Sequence, residues 1–179
     1  MKMKGKVVVA MSGGVDSSVA AALLQLQGFD VIGMSIQTFD NSKTDKERFD
    51  SCCSLSDIAD ARRVCDTLGV PHYVINAVDA FEERVIDYFV AEYLQARTPN
   101  PCVLCNNSIK FDYLMERALD LGADFVATGH YAKVQEDTGR WFISRATDEQ
   151  KDQSYYLFGL TQEQLSRTLM PLGDLRKIQ

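Results

Sequence analysis

Short unbroken apolar runs alternate along the chain with longer stretches in which apolar residues return every three or four positions. KVVVAM at 6–11 is one such run. It is continuous, as in a strand buried on both faces of a parallel sheet, and it leads into a glycine pair. VDSSVAAALLQLQ behind it reads as a helix stopped by Gly28. DVIGMSIQ at 30–37 is a second strand, and the polar stretch to Ser54, which has no period, predicts a loop. Ser54 and Asp57 form a capping-box pattern, after which Ile58, Ala61, Cys65 and Leu68 recur at helical spacing up to Gly69. VPHYVIN at 70–76 predicts a third strand. Asp79 and Glu82 are placed to cap the next helix, where Phe81, Val85, Phe89 and Tyr93 step by four along one face. TPNPCVLCNNS at 98–108 carries two prolines and predicts an exposed, rigid loop, followed by a helix over IKFDYLMERALDLG. DFVATGHYAKV at 124–134 predicts a fourth strand, TGRWFISRA a hairpin partner for it, and residues 150–179 a helical, weakly packed end.

Strands alternating with helices predict an α/β fold, a doubly wound, mostly parallel sheet flanked by helices. In such sheets ligands sit beyond the carboxyl ends of the strands. That rim gathers Ser12–Ser17 after the first strand, Gly33–Gln37 at the second and Thr128–Tyr131 at the fourth. With 179 residues the chain has the size of one domain, and it shows no internal repeat or linker.

No stretch approaches the roughly 20 apolar residues of a membrane span, and VVVAM is too short for a signal-peptide core. The expected location is the cytoplasm, with no membrane partner. Five cysteines, an odd number, agree with a reducing compartment. A net charge of −6 argues against a surface coated with lysine, yet leaves room for a local basic face.

AMSGGVDSS at 10–18 carries the first chemistry. Glycines 13 and 14 are free to adopt positive φ and let an anion approach the backbone. Ser12, Ser17 and Ser18 add hydroxyls, and the following helix aims its N-terminus at the same place. This is a phosphate cradle that matches neither G-x-x-x-x-G-K-[ST] nor G-x-G-x-x-G. Asp16 can cap the helix and can also hold a Mg²⁺ ion; the two roles are compatible.

The stretch resembles the signature of the N-type ATP pyrophosphatases (PP-loop, or adenine nucleotide alpha hydrolase-like, fold). The resemblance implies that the loop grips the β- and γ-phosphates of ATP as a leaving group, so the chemistry is adenylation. GMSIQ (33–37), CCSLSDIADARRVCDTLGVPHYVIN (52–76), TPNPCVLCNNSIKF (98–111), ATGHYAKV (127–134) and KDQSYYLFGL (151–160) further resemble the bacterial tRNA-specific 2-thiouridylases. That family activates the C2 oxygen of the wobble uridine with ATP and replaces it with sulfur from a persulfide.

Carried onto this chain, the resemblance implies ATP binding by Ala10, Met11, Ser12, Gly13, Gly14, Val15, Asp16 and Ser17, with Met34 and Gly129 on the adenosine side. Cys105 falls at the catalytic thiol. Asn100, Pro101 and Cys102 fall where the target base is contacted, and Lys151, Asp152 and Gln153 match a tRNA-contacting stretch. Implied partners are tRNA and a persulfide donor protein. Some members carry aspartate where this chain has Cys102. The family also has a second catalytic cysteine and further central and β-barrel domains beyond the point where this chain stops, so residues 1–179 are expected to be an N-terminal ATP pyrophosphatase domain, not capable of turnover alone.

Cys102-Val103-Leu104-Cys105 admits three readings: half of a zinc site, a redox or sulfur-accepting thiol pair, or two ligands of an iron–sulfur cluster, [4Fe-4S], in the longer protein. Zinc lacks a second pair, since Cys52 and Cys53 are adjacent and only His72 and His130 remain. Thiol chemistry is preferred, because a loop entering a helix lowers a thiol's pKa. Cys65 lies on an apolar stripe and reads as core, Cys52 and Cys53 as structural or tRNA-facing. His130 reads as a hydrogen-bonded rim residue, with a base as the other role.

Two rivals to tRNA thiolation stand: another ATP pyrophosphatase acting on a small carboxylate or amide, and a non-catalytic ATP-binding or sulfur-relay module working with a partner chain.

Overall fold

Val7, Val8 and Val9 in β1 (Lys6–Ala10) are all fully buried, which explains why the run is uninterrupted. Side chains alternate across a strand, so Val7 and Val9 pack on one face of the sheet and Val8 on the other. β1 is the central strand. The computed structural model describes residues 4–39 and 54–177.

Five parallel strands form the sheet in the order β3-β2-β1-β4-β7, with β2 at Asp30–Gln37, β3 at His72–Asn76, β4 at Phe125–Ala127 and β7 at Thr168–Leu169. The mostly parallel α/β sheet expected from the sequence is therefore present. One face is covered by α1 (Val15–Leu26) and α2 (Leu55–Leu68), which bury Ala20, Ala21, Leu24, Ala61 and Cys65 against Val7, Val9 and Val31. Burial also raises the pKa of the Cys65 thiol, with Asp66 adding to the shift. The Ser54–Asp57 capping box closes α2 as anticipated, and Gly69 ends it in the left-handed region.

The other face carries two longer helices. The first, α3, spans 78–94 as Val78–Phe81, a π-helical turn Glu82–Ile86 and Asp87–Leu94. The expected caps Asp79 and Glu82 do not start it; Asn76 Oδ1 accepts from Val78 N at 3.0 Å instead. The second, α4, spans 101–120 as Pro101–Leu104, a π-helix Cys105–Tyr113 and Leu114–Asp120.

Several expectations are corrected. The loop assigned to 98–108 is helical from Pro101, because proline suits a first helical position and Asn100 caps it by accepting from Cys102 N and Val103 N. The fourth strand breaks in two. Its second half, β5 (Ala132–Asp137), leaves the main sheet and pairs antiparallel with β6 (Arg140–Arg145) through a turn with positive φ at Thr138 and Gly139. Gly33–Gln37 belongs to β2 itself. The end of the chain is not weakly packed. Leu157, Leu160, Leu165 and Leu172 are buried around a short helix, α5 (Gln162–Ser166), and β7 adds the fifth strand. Residues 40–53, with Cys52 and Cys53, lie outside the described residues. Among the described residues no helix is long and apolar enough to cross a membrane.

Candidate functional site

From β1 the strand order runs outward through β2 and β3 on one side and through β4 and β7 on the other. The carboxyl ends of β1 and β4 therefore part at the point where crossovers change direction, and a crevice opens there. The crevice is a cleft of about 200 Å³.

Its floor is the turn from β1 into α1. Gly13 has φ +76°, whereas Gly14 has φ −80° and serves as the N-cap of α1 without any side-chain cap. Only one of the two glycines thus uses positive φ, which corrects the expectation for the pair. A Cβ on Gly13 would run into the Asp57 backbone at the start of α2, while one on Gly14 would meet nothing closer than Ser12 Oγ at 3.6 Å. Ser12 N donates to Ser17 Oγ at 3.2 Å, and Ser18 Oγ donates to Gly14 O at 2.9 Å. These bonds hold the turn but leave the first backbone N–H groups of α1 uncapped, the arrangement that binds anions at a helix start.

The walls come from four places. Ala10, Met11, Ser12, Asp16 and Ser17 belong to the turn, Met34 and Ile36 to β2, Lys110 to α4, and Thr128, Gly129, His130 and Gln153 to the segments after β4 and β6. Gly129 is there because nothing larger fits: a Cβ would lie 2.7 Å from Asp16 C and from Ser17 N. His130 is buried, and its Nδ1 is 2.8 Å from Thr128 Oγ1. Burial, with Lys110 nearby, pushes its pKa down to about 3, so His130 is neutral at physiological pH. The hydrogen-bonded role expected for it is the one observed.

Seven of the ten residues assigned to ATP line this cleft: Ala10, Met11, Ser12, Asp16, Ser17, Met34 and Gly129. Gly13 and Val15 face a different groove, between α1 and α2. Of the residues assigned to tRNA, Gln153 reaches the cleft. Asp152 accepts from Ala146 N at 2.9 Å and Ser154 Oγ at 2.8 Å, and Gln153 Oε1 accepts from Tyr131 N at 3.0 Å, so both also brace the segment they sit in. Lys151 is exposed. Cys102 is exposed one helical turn from Cys105, which is half-buried against the core. Ile36 and Thr128 lie in the stretches expected at the rim, whereas Lys110 is a lining residue that neither the rim nor the motifs pointed to. Lys110 stands in the stretch TPNPCVLCNNSIKF, and its only signal in the sequence is that of a lone base five residues beyond Cys105.

Asp16 accepts from Lys177 Nζ at 2.7 Å. Among the described residues no group of three or more His, Cys, Asp or Glu stands close enough to hold a metal.

Residues 5–179 match the tRNA methyl transferase HUP domain. The chain belongs to that family. This HUP domain is 57% identical over 174 residues to the tRNA-specific 2-thiouridylase MnmA of Clostridium perfringens, covering 97% of this chain and 48% of that protein. It is 55% identical to the MnmA of Clostridium beijerinckii (98% and 49% covered) and 54% identical to that of Pelotomaculum thermopropionicum (98% and 49%). The HUP domain thus spans about half the length of the curated relatives it matches. A solved structure described as a predicted subunit of tRNA methyltransferase, from Methanocaldococcus jannaschii, superposes with a TM-score of 0.51 at 19% identity, covering 96% of this chain and 70% of that one. That likeness is one of fold.

Proposed function

We propose that this HUP domain binds ATP in the β1/β4 cleft and uses it to activate the C2 oxygen of a tRNA uridine for replacement by sulfur. The observation that carries the reading is the uncapped start of α1, closed against Gly129 at the switch point of the sheet. An anion held there is gripped by backbone donors and by the helix dipole. With pyrophosphate in that grip, the α-phosphorus of ATP faces outward, toward an incoming nucleophile.

The uridine C2 oxygen then bonds to the α-phosphorus as the bond to pyrophosphate breaks. Sulfur from a persulfide on Cys105 adds at C2, and AMP departs with the oxygen. A second thiol attacks Cys105 Sγ, so the S–S bond breaks and a disulfide forms. Asp16 would hold Mg²⁺, which neutralises charge on the leaving pyrophosphate. Neutral His130 offers the cleft one hydrogen bond without a charge. Cys102, with Asn100 and Pro101, sits at the exposed start of α4, where a base could approach Cys105. The persulfide donor is a separate protein in this reading, and residues 1–179 form the ATP pyrophosphatase domain of the machinery.

Measuring pyrophosphate release from ATP with and without tRNA tests the proposal. Release stimulated by tRNA is expected. Release indifferent to tRNA would point to a small substrate instead, and ATP binding with no release to a relay module; either result would sink it.

A further inference from the structure

The loop at 10–18 has no lysine, yet the cleft above it contains one. Lys110 stands half-buried in the wall with Ser12, Asp16, Ser17 and His130. The carboxylate nearest the loop, Asp16, is taken by Lys177 at 2.7 Å. Among the described residues Lys110 itself makes no ion pair and no hydrogen bond. Its ammonium is therefore open to an anionic partner. Lining a cleft whose floor is a helix N-terminus, it adds a second positive group to the same small volume.

The helix register contributes. Five residues along an α-helix turn a side chain by about 140° from where it began. Cys105–Tyr113 is π-helical, with Leu114 N donating to Ile109 O. Hydrogen bonds from i to i+5 bring residue 110 round toward residue 105. One helix therefore carries the thiol and the cation on neighbouring sides.

We propose that Lys110 is the phosphate-binding cation of the cleft, its Nζ contacting non-bridging oxygens of the ATP triphosphate. It supplies from a helix a hundred residues away the charge that a Walker A loop carries within itself. The inference rests on the ATP-binding reading above and goes beyond it, since none of the motifs assigns this residue.

Calorimetry on the full chain, with ATP and with adenosine as separate titrants, tests it. Lys110→Gln is expected to weaken ATP by about 30-fold, the size of one lost charge-assisted hydrogen bond, while adenosine changes by less than about two-fold. Lys110→Arg keeps the charge and is expected to hold ATP within about five-fold of the parent. ATP affinity retained in Lys110→Gln overturns the assignment, and so does an equal loss of ATP and adenosine, which would mean a packing role. A parent chain that binds no ATP overturns the ATP-binding reading itself, and Lys110 with it. Should Lys110→Gln fail to fold, acetylation of the parent chain decides: ATP, but not adenosine, should shield Lys110 from acetic anhydride. Equal labelling with ATP and with adenosine overturns the proposal.

Discussion

The turn at Ser12–Ser17 and the helix over 101–120 border the same cleft, yet they offer chemistry by different means. The turn works with backbone. Its side chains are short and bond mostly to the turn itself, and what it presents is an uncapped row of N–H groups made possible by one positive φ at Gly13. The helix offers side chains, a thiol at Cys105 and an ammonium at Lys110, on a π-helical segment packed against the core. A function built from backbone is lost when the chain path changes. A function built from side chains is lost when one group is replaced and the path stays.

The largest expected effect lies on the helix. With the chain carried in a protein of its relatives' full length, Cys105→Ser should lower tRNA thiolation by at least about 10³-fold while ATP affinity stays unchanged, because in the proposed reaction it removes the nucleophile and keeps the volume. Cys102→Ser should stay within about tenfold. Mass spectrometry of the tRNA checks both, and loss of ATP binding in Cys105→Ser would break the contrast.

On the turn, the two neighbouring glycines should behave differently. Gly13→Ala should cost about 2–4 kcal/mol, since it combines positive φ with a Cβ driven into the Asp57 backbone. Gly14→Ala should cost less than about 1 kcal/mol. Urea melts compare them, and equal costs would show that Gly13 does not hold the turn.

Between the two regions stands His130. Its pKa in the folded chain, about 3, lies below the ordinary value of 6.5, so the unfolded chain binds more protons in that window. The contribution of His130 to stability should be complete well above pH 6.5, fall by up to about 1.4 kcal/mol per unit as pH drops, and level off below about pH 3 once the folded chain is protonated there as well. The His130 Cε1 proton should stay flat in NMR titration from pH 8 to 5. A midpoint near 6.5 would mean that the cleft is wetter and looser than described.

A small effect, about 1 kcal/mol, should come from Ser54→Ala, by opening the capping box of α2. Because that helix start abuts Gly13, ATP affinity should also fall slightly. Unchanged affinity would show that the turn needs no support from α2.

Much of the turn could be read locally. Valines in a row, glycines and serines behind them and a periodic helix are neighbours in sequence, and their combination names a phosphate cradle. The helix was harder to read, because two prolines suggest a loop, while one of them in fact occupies the first helical position under the Asn100 cap. DFVATGHYAKV looked like one strand because its apolar pattern is continuous. Thr128–Tyr131 breaks it to bring Gly129 against α1, a contact with a residue over a hundred positions away.

By itself the sequence determined the alternation of strands and helices, the buried central strand, the cradle at its end and the thiol pair, since each depends on periods and spacings within about twenty residues. Tertiary structure alone decided which glycine takes positive φ, where the fourth strand ends, that the last segment closes the sheet, and that a lysine on a distant helix stands over a loop that lacks one. These outcomes depend on close approach between parts of the chain far apart in sequence, and no local pattern of apolar and polar positions encodes such distances.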